Sequence, residues 1–282
     1  MTCGRPYVGR FAPSPTGRLH LGSMATAVAS YLDARAHGGT WLLRIEDLDP
    51  PREVPGAAKD ILATLEAFGL RWDGQVLFQS DRNDAYEAAL NALLSESRAF
   101  GCVCTRKVLA GEKVYPGHCR DGLPKGMSPR SFRFAMPKSH PALAWTDRMA
   151  GTQQFVREDI GDFVLRRADG LWAYHLAVVV DDAHQNVTDV VRGDDLLDST
   201  PAHLALAEAL SLEPCRYTHL PVVMNSQGQK LSKQTMAEPV DLGSREGVLR
   251  LVFDHLGIPW EEGVSYDLRL PQAMEWWRDN LR

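Results

Sequence analysis

An α/β fold built on a parallel sheet is what this 282-residue sequence predicts. Two observations predict it. Along the first hundred residues, apolar segments alternate between the strand and the helix period, in the order strand, helix, strand, helix. The alternation breaks at a stretch rich in Gly, Pro and basic residues, from about residue 101 to 148, and then resumes. Such an order favours right-handed crossovers between neighbouring parallel strands.

The elements follow in turn. Tyr7 to Ala12 reads as a strand, and Leu21 to Ala36 as a helix that buries Met24, Val28 and Leu32. Thr40 to Ile45 is a second strand. Lys59 to Phe68 is an amphipathic helix with Ile61, Leu62, Leu65 and Phe68 on one side, and Ala85 to Leu94 is another. Residues 101–148 form an insertion. Beyond it lie a strand-like segment at Phe163 to Arg167, an apolar run from Leu171 to Val180 and a short strand at Val187 to Val191. Ser199-Thr200-Pro201 marks a helix start, with a hydroxyl cap and proline in the first turn, and that helix runs through Leu204, Ala207 and Leu210. Residues 240–282 read as mostly helical, and the chain shows no internal repeat or low-complexity tract.

Composition narrows the function classes. With 44% hydrophobic and 24% charged residues the chain is long enough for a large buried core. No window approaches the ~18 uninterrupted apolar residues of a membrane span, and the N-terminus lacks the apolar core of a secretory signal. The expectation is a cytoplasmic monomer without a membrane partner. Five cysteines are an odd number and few for a disulfide framework, so reduced thiols are expected, some available to a metal. A net charge of −5 argues against nucleic acid, but the average hides a local excess. Between Cys102 and His140, eight basic residues (Arg106, Lys107, Lys113, Arg120, Lys125, Arg130, Arg133, Lys138) face two acidic ones. That composition fits a solvated loop and an RNA-facing surface equally.

Two short stretches carry chemistry. PSPTGRLHLGS, residues 13–23, lies between the first strand and the first helix. In a sheet of this type phosphates are held there by helix N-terminal amides. Pro13 and Pro15 stiffen the loop, Thr16 offers a hydroxyl, Gly22 lacks a β-carbon that would keep a nucleobase off the backbone, and His20 can donate to a phosphate oxygen. GQKLSKQT, residues 228–235, follows the apolar run Leu220 to Met224 and sets Lys230 and Lys233 around Ser232. Each stretch alone is an ordinary loop. Together, one holds a nucleotide while a lysine neutralises charge growing on departing pyrophosphate.

The pair resembles the HIGH and KMSKS signatures of class I aminoacyl-tRNA synthetases, written here His20-Leu21-Gly22-Ser23 and Lys230-Leu231-Ser232-Lys233-Gln234. RFAPSPTGRLHLGS, LLRIEDLDPPR, WAYHLAVVVDDA and VVRGDDLLDSTPAH resemble the glutamyl and glutaminyl branch, from residue 8 to about residue 235. The resemblance implies a Rossmann-like parallel sheet. It also implies His20 and Lys233 as catalytic groups, and an ATP site of Thr16, His20, Gly22, Lys230 and Lys233 with Mg²⁺. L-glutamate carries two carboxylates and an ammonium, so its site needs guanidinium forks and a carboxylate. Arg10, Arg192, Glu46 and Tyr174 suit those needs, and by resemblance they match glutamate-binding positions, with Phe11, Ala12, Pro13 and Ser14 lining the same pocket. Asp47 and Asp49 serve equally to brace the loop.

By resemblance, residues 1–100 and 149–239 are the two halves of the catalytic domain, 101–148 the insertion and 240–282 a helical tail. Only residues 236–282 follow the lysine loop, too few for an anticodon-binding domain. A catalytic body of this length resembles the branch members that esterify glutamate to the cyclopentenediol of queuosine in tRNA(Asp), which names that RNA as the expected partner. The alternatives are a short synthetase charging a tRNA 3′ end, an inactive RNA-binding paralogue, and an unrelated nucleotidyltransferase. Gln234 departs from the serine or arginine of many relatives but leaves both lysines in place.

Cys102, Cys104 and Cys119 crowd into 18 residues and suit Zn²⁺, which takes four soft or borderline ligands tetrahedrally. General zinc chemistry favours His118 as the fourth, although its adjacency to Cys119 strains joint ligation. The resembling family has a tyrosine at this place, which assigns Tyr115 and makes the zinc structural. Cys3 and Cys215 are expected bystanders.

Overall fold

The computed structural model describes residues 5–138, 142–224, 231 and 238–280. The chain runs β1 (Val8–Phe11), α1 (Leu21–Ala36), β2 (Thr40–Ile45), α2 (Ala57–Ala67), β3 (Leu77–Phe78), α3 (Asn83–Ser95), β4 (Ala99–Cys102), β5 (Ser131–Phe134), β6 (Ala142–Asp147), β7 (Gly151–Val156), α4 (Arg157–Ile160), β8 (Val164–Arg166), α5 (Tyr174–His184), β9 (Asp189–Gly193), α6 (Thr200–Ala209), β10 (Arg216–Leu220), α7 (Arg245–Leu256) and α8 (Tyr266–Asn280). Two compact units divide it: Met1–Phe78 with Val187–Leu196 and Cys215–Arg282, and Gln79–Asn186 with Leu197–Pro214. Both are assembled from pieces distant in sequence.

The first unit holds the parallel sheet. β1 pairs with β2 and β2 with β3, all parallel, while β9 and β10 form a second parallel pair. β9 lies beside the free edge of β1, where the Thr188 N–H donates to the Val8 carbonyl at 2.9 Å and Val8 N–H donates to Thr188 Oγ1 at 2.8 Å. The strand starts therefore lie side by side, and the order is β3-β2-β1-β9-β10. The chain leaves β1 in one direction for β2 and later returns on the other side as β9. Ligands of doubly wound sheets bind in the crevice at such a reversal.

α1 is buried nearly all round, with Met24, Ala27, Val28, Ala29, Leu32 and Ala34 inaccessible. One face packs on β1, β2 and β9, and the other is covered by α7 and α8. The expected stripe of Met24, Val28 and Leu32 is present, and the alanines between them let the C-terminal helices approach from behind. α8 is pinned by Trp277, whose indole N–H donates to the buried Asp33 carboxylate at 3.0 Å, and Tyr7 donates its hydroxyl to the same carboxylate. The mostly helical reading of residues 240–282 holds, and the tail is the second cover of the first core.

In the second unit β4-β5-β8 form an antiparallel sheet and β6-β7 an antiparallel hairpin, so the insertion is built of strands as well as loops. α3 and α5 are tied by the fully buried Asp181, which accepts from Gln79 Nε2 at 2.9 Å, Arg82 Nε at 3.1 Å and the Tyr86 hydroxyl at 2.6 Å. Three donors satisfy the carboxylate where water cannot. One expectation fails. Ser199 makes no side-chain cap on α6, because a 3₁₀ helix at Asp194–Ser199 runs straight into it and leaves Ser199 at φ −84°, ψ −21°. A capping hydroxyl needs an extended residue. Pro201 does occupy the first turn.

Candidate active site and metal centre

The turn after β1 is shaped by its prolines and by the helix it opens. The Pro13 carbonyl accepts from Glu46 N–H at 3.0 Å and the Pro15 carbonyl from Val54 N–H at 3.0 Å, tying the turn to the segment after β2. Thr16 N–H donates to the Ser14 carbonyl at 2.8 Å, closing the loop on itself. His20 is the N-cap of α1 in extended backbone (φ −111°, ψ 174°). Its Nδ1 accepts from Ser23 N–H at 3.3 Å, while Ser23 Oγ accepts from His20 N–H at 2.8 Å. A backbone N–H can only donate, so Nδ1 is the acceptor and the ring proton of the neutral imidazole sits on Nε2. The cap thereby sets His20 as a donor at a helix N-terminus, where an anion is favoured. Ser23 is a partner the sequence reading misses, although His-x-x-Ser has the spacing of a capping box.

Gly22 has a second reason to lack a side chain. A β-carbon there would stand 3.1 Å from His20 Cε1, 3.2 Å from His20 Nδ1 and 3.5 Å from the Leu231 carbonyl oxygen. Leu231 is the one described residue of the lysine loop's Lys-Leu-Ser-Lys, and its N–H donates to the Val223 carbonyl at 2.8 Å. Beyond the loop, Pro239 bridges His20 in antiparallel fashion and Val240 N–H donates to the Leu19 carbonyl at 2.9 Å. Leu231 and Pro239, on either side of Lys233 in the sequence, thus both lie at the start of α1. Lys230 and Lys233 themselves lie outside the described residues.

The residues expected around glutamate fall at the strand ends of the first unit, with one exception. Arg10 is the third residue of β1 and Arg192 the fourth of β9, both 4% exposed, and Phe11 is buried. Glu46 follows β2 directly, and its Oε1 lies 3.3 Å from Nη2 of the fully buried Arg44, a residue the sequence reading misses. Arg192 donates from Nε to His219 Nε2 at 3.0 Å and from Nη2 to the Leu196 carbonyl at 3.1 Å. The exception is Tyr174, which begins α5 in the second unit, its ring centroid 5.4 Å from that of His203. Asp49 braces the turn through Arg52 Nε at 2.5 Å. Burial first, then the charges of Asp47 and Asp49, push the Glu53 carboxyl up.

The cysteines converge in the second unit. Cys102 ends β4, where Gly101 admits a close neighbour: a β-carbon at that glycine would stand 2.7 Å from Pro129 Cβ. The Sγ atoms of Cys102, Cys104 and Cys119 lie within 4.8 Å of one another, with Cys104 and Cys119 at 3.7 Å. Tyr115 Oη stands 3.4 Å from Cys102 Sγ and 3.6 Å from Cys104 Sγ, and accepts from Cys119 N–H at 2.9 Å. A tetrahedron with Zn–S of about 2.3 Å and Zn–O of about 2.0 Å has S···S edges of about 3.8 Å and S···O edges of about 3.5 Å. The Cys104–Cys119 edge and the edges from Tyr115 Oη to Cys102 and Cys104 fit that figure. His118 is exposed, stacks edge-on to Tyr115 at 6.3 Å and is not part of the cluster.

Electrostatics prepare one ligand. Burial opposes ionisation of Cys102, but the Tyr115 hydroxyl and the Arg133 guanidinium outweigh it and bring the thiol to about 7. Cys104 is pushed up by burial and by the neighbouring thiols. Tyr115 is pushed up strongly by burial and then by the three thiols, so without a cation its phenol stays neutral. A bound divalent ion reverses that ordering, since its charge favours every anionic ligand. Arg133 lies over the Tyr115 ring, 4.1 Å from its centroid, and holds it in place.

The model for tRNA synthetases class I (E and Q), catalytic domain, matches residues 7–253. A glutamyl-Q tRNA(Asp) synthetase of Chromobacterium violaceum is 53% identical over 96% of this chain and 93% of its own length. One from Neisseria meningitidis serogroup B is 52% identical over 96% and 94%. Among solved structures, a glutamate tRNA ligase from Elizabethkingia meningosepticum in complex with its amino acid matches at TM-score 0.79 and 26% identity, over 96% of this chain and 64% of that one. The glutamate-tRNA synthetase of Elizabethkingia anophelis matches at TM-score 0.73 and 30% identity, over 82% and 53%. This chain therefore spans between about half and two thirds of the solved ligases.

Proposed function

This chain belongs to the class I tRNA synthetases for glutamate and glutamine, and we propose that it activates L-glutamate with ATP and esterifies it to queuosine in the anticodon of tRNA(Asp). The observation that carries this reading is a match above 50% identity along nearly the whole of synthetases bearing that activity in their name. The reaction runs in two steps. A glutamate α-carboxylate oxygen attacks the α-phosphorus of ATP in line; the P–O bond to pyrophosphate breaks and glutamyl-AMP forms. A queuosine hydroxyl then attacks the acyl carbon, the new ester forms, AMP departs as leaving group and the hydroxyl proton goes to solvent. No protein nucleophile is required, so positioning and charge carry the catalysis.

Placement of the described residues supports the following roles. His20, which carries its ring proton on Nε2, and the N-terminus of α1 receive the phosphates, with Thr16 and Gly22 in the same turn. Lys230 and Lys233, whose sequence neighbour Leu231 lies beside Gly22, neutralise the departing pyrophosphate, aided by the Mg²⁺ that ATP carries. Arg10 and Arg192 at the ends of β1 and β9 meet the carboxylates of glutamate, Glu46 takes its ammonium, and Phe11 to Ser14 line the pocket. Cys102, Cys104, Cys119 and Tyr115 hold a structural zinc; the metal supplies a crosslink between β4 and the loop after it, and no reacting atom.

The zinc-bearing insertion is the surface we assign to RNA. Arg106, Lys107, Lys113, Lys125, Arg130 and Lys138 are exposed, and among the described residues none pairs with a carboxylate. Arg120, by contrast, is bound to Asp162 and Arg133 to Tyr115. Phosphate contacts release counterions, and each one lost lowers the slope of log K against log salt by about 0.7 to 0.9. Replacing Lys107 and Lys125 by glutamine together is expected to weaken tRNA binding and to flatten that slope by about 1.5, leaving glutamate-dependent ATP–pyrophosphate exchange unchanged. An unaltered slope places the RNA elsewhere.

The function itself is tested by transfer of labelled glutamate, with ATP and Mg²⁺, to tRNA(Asp) with and without queuosine and to tRNA(Glu). Label on queuosine-containing tRNA(Asp) alone is the expected result. Label on tRNA(Glu) makes the chain a short glutamyl-tRNA synthetase, and no label on any RNA makes it a binding module.

A further inference from the structure

We infer that His219 is a positioning residue for glutamate selection, holding the Arg192 guanidinium in the orientation that meets a substrate carboxylate. The inference rests on the reading of Arg192 as a glutamate-binding group. The two residues face each other across the parallel ladder of β9 and β10, and both are buried, at 4% and 2% exposure. Arg192 Nε lies 3.0 Å from His219 Nε2. A guanidinium has only N–H donors, so the imidazole must accept at Nε2, carry its proton on Nδ1 and be neutral. A neutral acceptor fixes the side chain without cancelling its charge, whereas a carboxylate partner weakens the attraction left for a substrate anion.

Two further contacts support the same placement. Arg192 Nη2 donates to the Leu196 carbonyl at 3.1 Å, and its Cζ lies 5.2 Å from the centroid of the Tyr217 ring. Tyr217 and His219, two residues apart on β10, project to the same face with rings 12° from parallel and centroids 5.9 Å apart. They form one slab against which the guanidinium is set. Arginine carries large rotamer freedom, and a site that fixes the fork in advance spares that loss on binding.

The test compares Arg192→Gln, His219→Leu, His219→Gln and His219→Asn in ATP–pyrophosphate exchange, with KM for glutamate, KM for ATP, kcat and thermal midpoint measured for each. His219→Leu removes the acceptor and is expected to raise the glutamate KM by about tenfold or more, with ATP KM within about twofold. His219→Gln can place an amide oxygen near Nε2 and is expected to restore KM to within about threefold, while His219→Asn, too short to reach, behaves as the leucine variant does. If leucine prevents folding, glutamine against asparagine gives the same comparison. Arg192→Gln raising the glutamate KM while the His219 variants leave it unchanged overturns the inference alone. An unchanged KM in Arg192→Gln overturns the role of Arg192 and the inference with it. A lower thermal midpoint in His219→Leu with KM unmoved reduces His219 to packing.

Discussion

Replacing Lys233 by alanine is expected to lower kcat for glutamate-dependent ATP–pyrophosphate exchange by about 10² to 10³-fold with little change in glutamate KM. Charge grows on the β and γ phosphates only as the bond to the α-phosphorus breaks, so an ammonium placed to meet it acts on the transition state and not on the bound amino acid. Described residues on either side of Lys233 in the sequence lie beside the start of α1. Leu231, two residues before Lys233, lies against the Gly22 position with its N–H held by Val223, and Pro239 bridges His20. Arginine at 233 keeps the charge on a longer, planar head and should recover part of the rate. A rise in glutamate KM with kcat intact contradicts the assignment, because it puts the lysine on the ground state.

Loss of the metal is expected to produce the second large effect. The native chain should contain one zinc, and stripping it or replacing Cys119 by serine should abolish transfer to RNA, by about a hundredfold or more, while exchange stays within a few-fold. Structural zinc sites bind with about 10 to 16 kcal/mol of apparent free energy in small domains, so the ion is expected to order the loop between Cys102 and Cys119. Without the ion, a thiol near 7 and a neutral phenol at hydrogen-bond range hold the cluster only weakly. Metal analysis with paired transfer and exchange assays checks this, and a zinc-free chain with full transfer activity contradicts it. Tyr115→Phe removes the fourth ligand alone and should weaken zinc retention against a chelator more than His118→Ala does.

The first half of the fold is legible because its signals are local. Leu21 to Ala36 and Thr40 to Ile45 coincide with α1 and β2, since a proline-rich turn, a capping residue and periodicity fix those boundaries within a few residues. The burial of α1 on both faces is not legible. Nothing near Ala27 or Ala29 announces that α7 and α8, more than two hundred residues later, pack behind it. The insertion reads as loop because Ala99–Cys102 pairs with Ser131–Phe134 across a long basic excursion, and four-residue strands leave little periodicity. Ser199 misleads because a cap is judged from residue type, whereas the preceding 3₁₀ turn decides its backbone.

The site divides in the same way. His20, Gly22 and the three cysteines are visible as types at fixed spacing. Some of what supports the site is local, Ser23 at capping-box spacing from His20 and Arg44 two residues from Glu46; the rest is tertiary, Arg133 over Tyr115 and His219 opposite Arg192 by a register that no local pattern displays.

The central claim is that glutamate goes to the anticodon base and not to the 3′ end. The direct measurement is to label queuosine-containing tRNA(Asp) with radioactive glutamate, cut it with nuclease and ask which fragment carries the ester. The account predicts label on the anticodon fragment. Label on the terminal adenosine contradicts it.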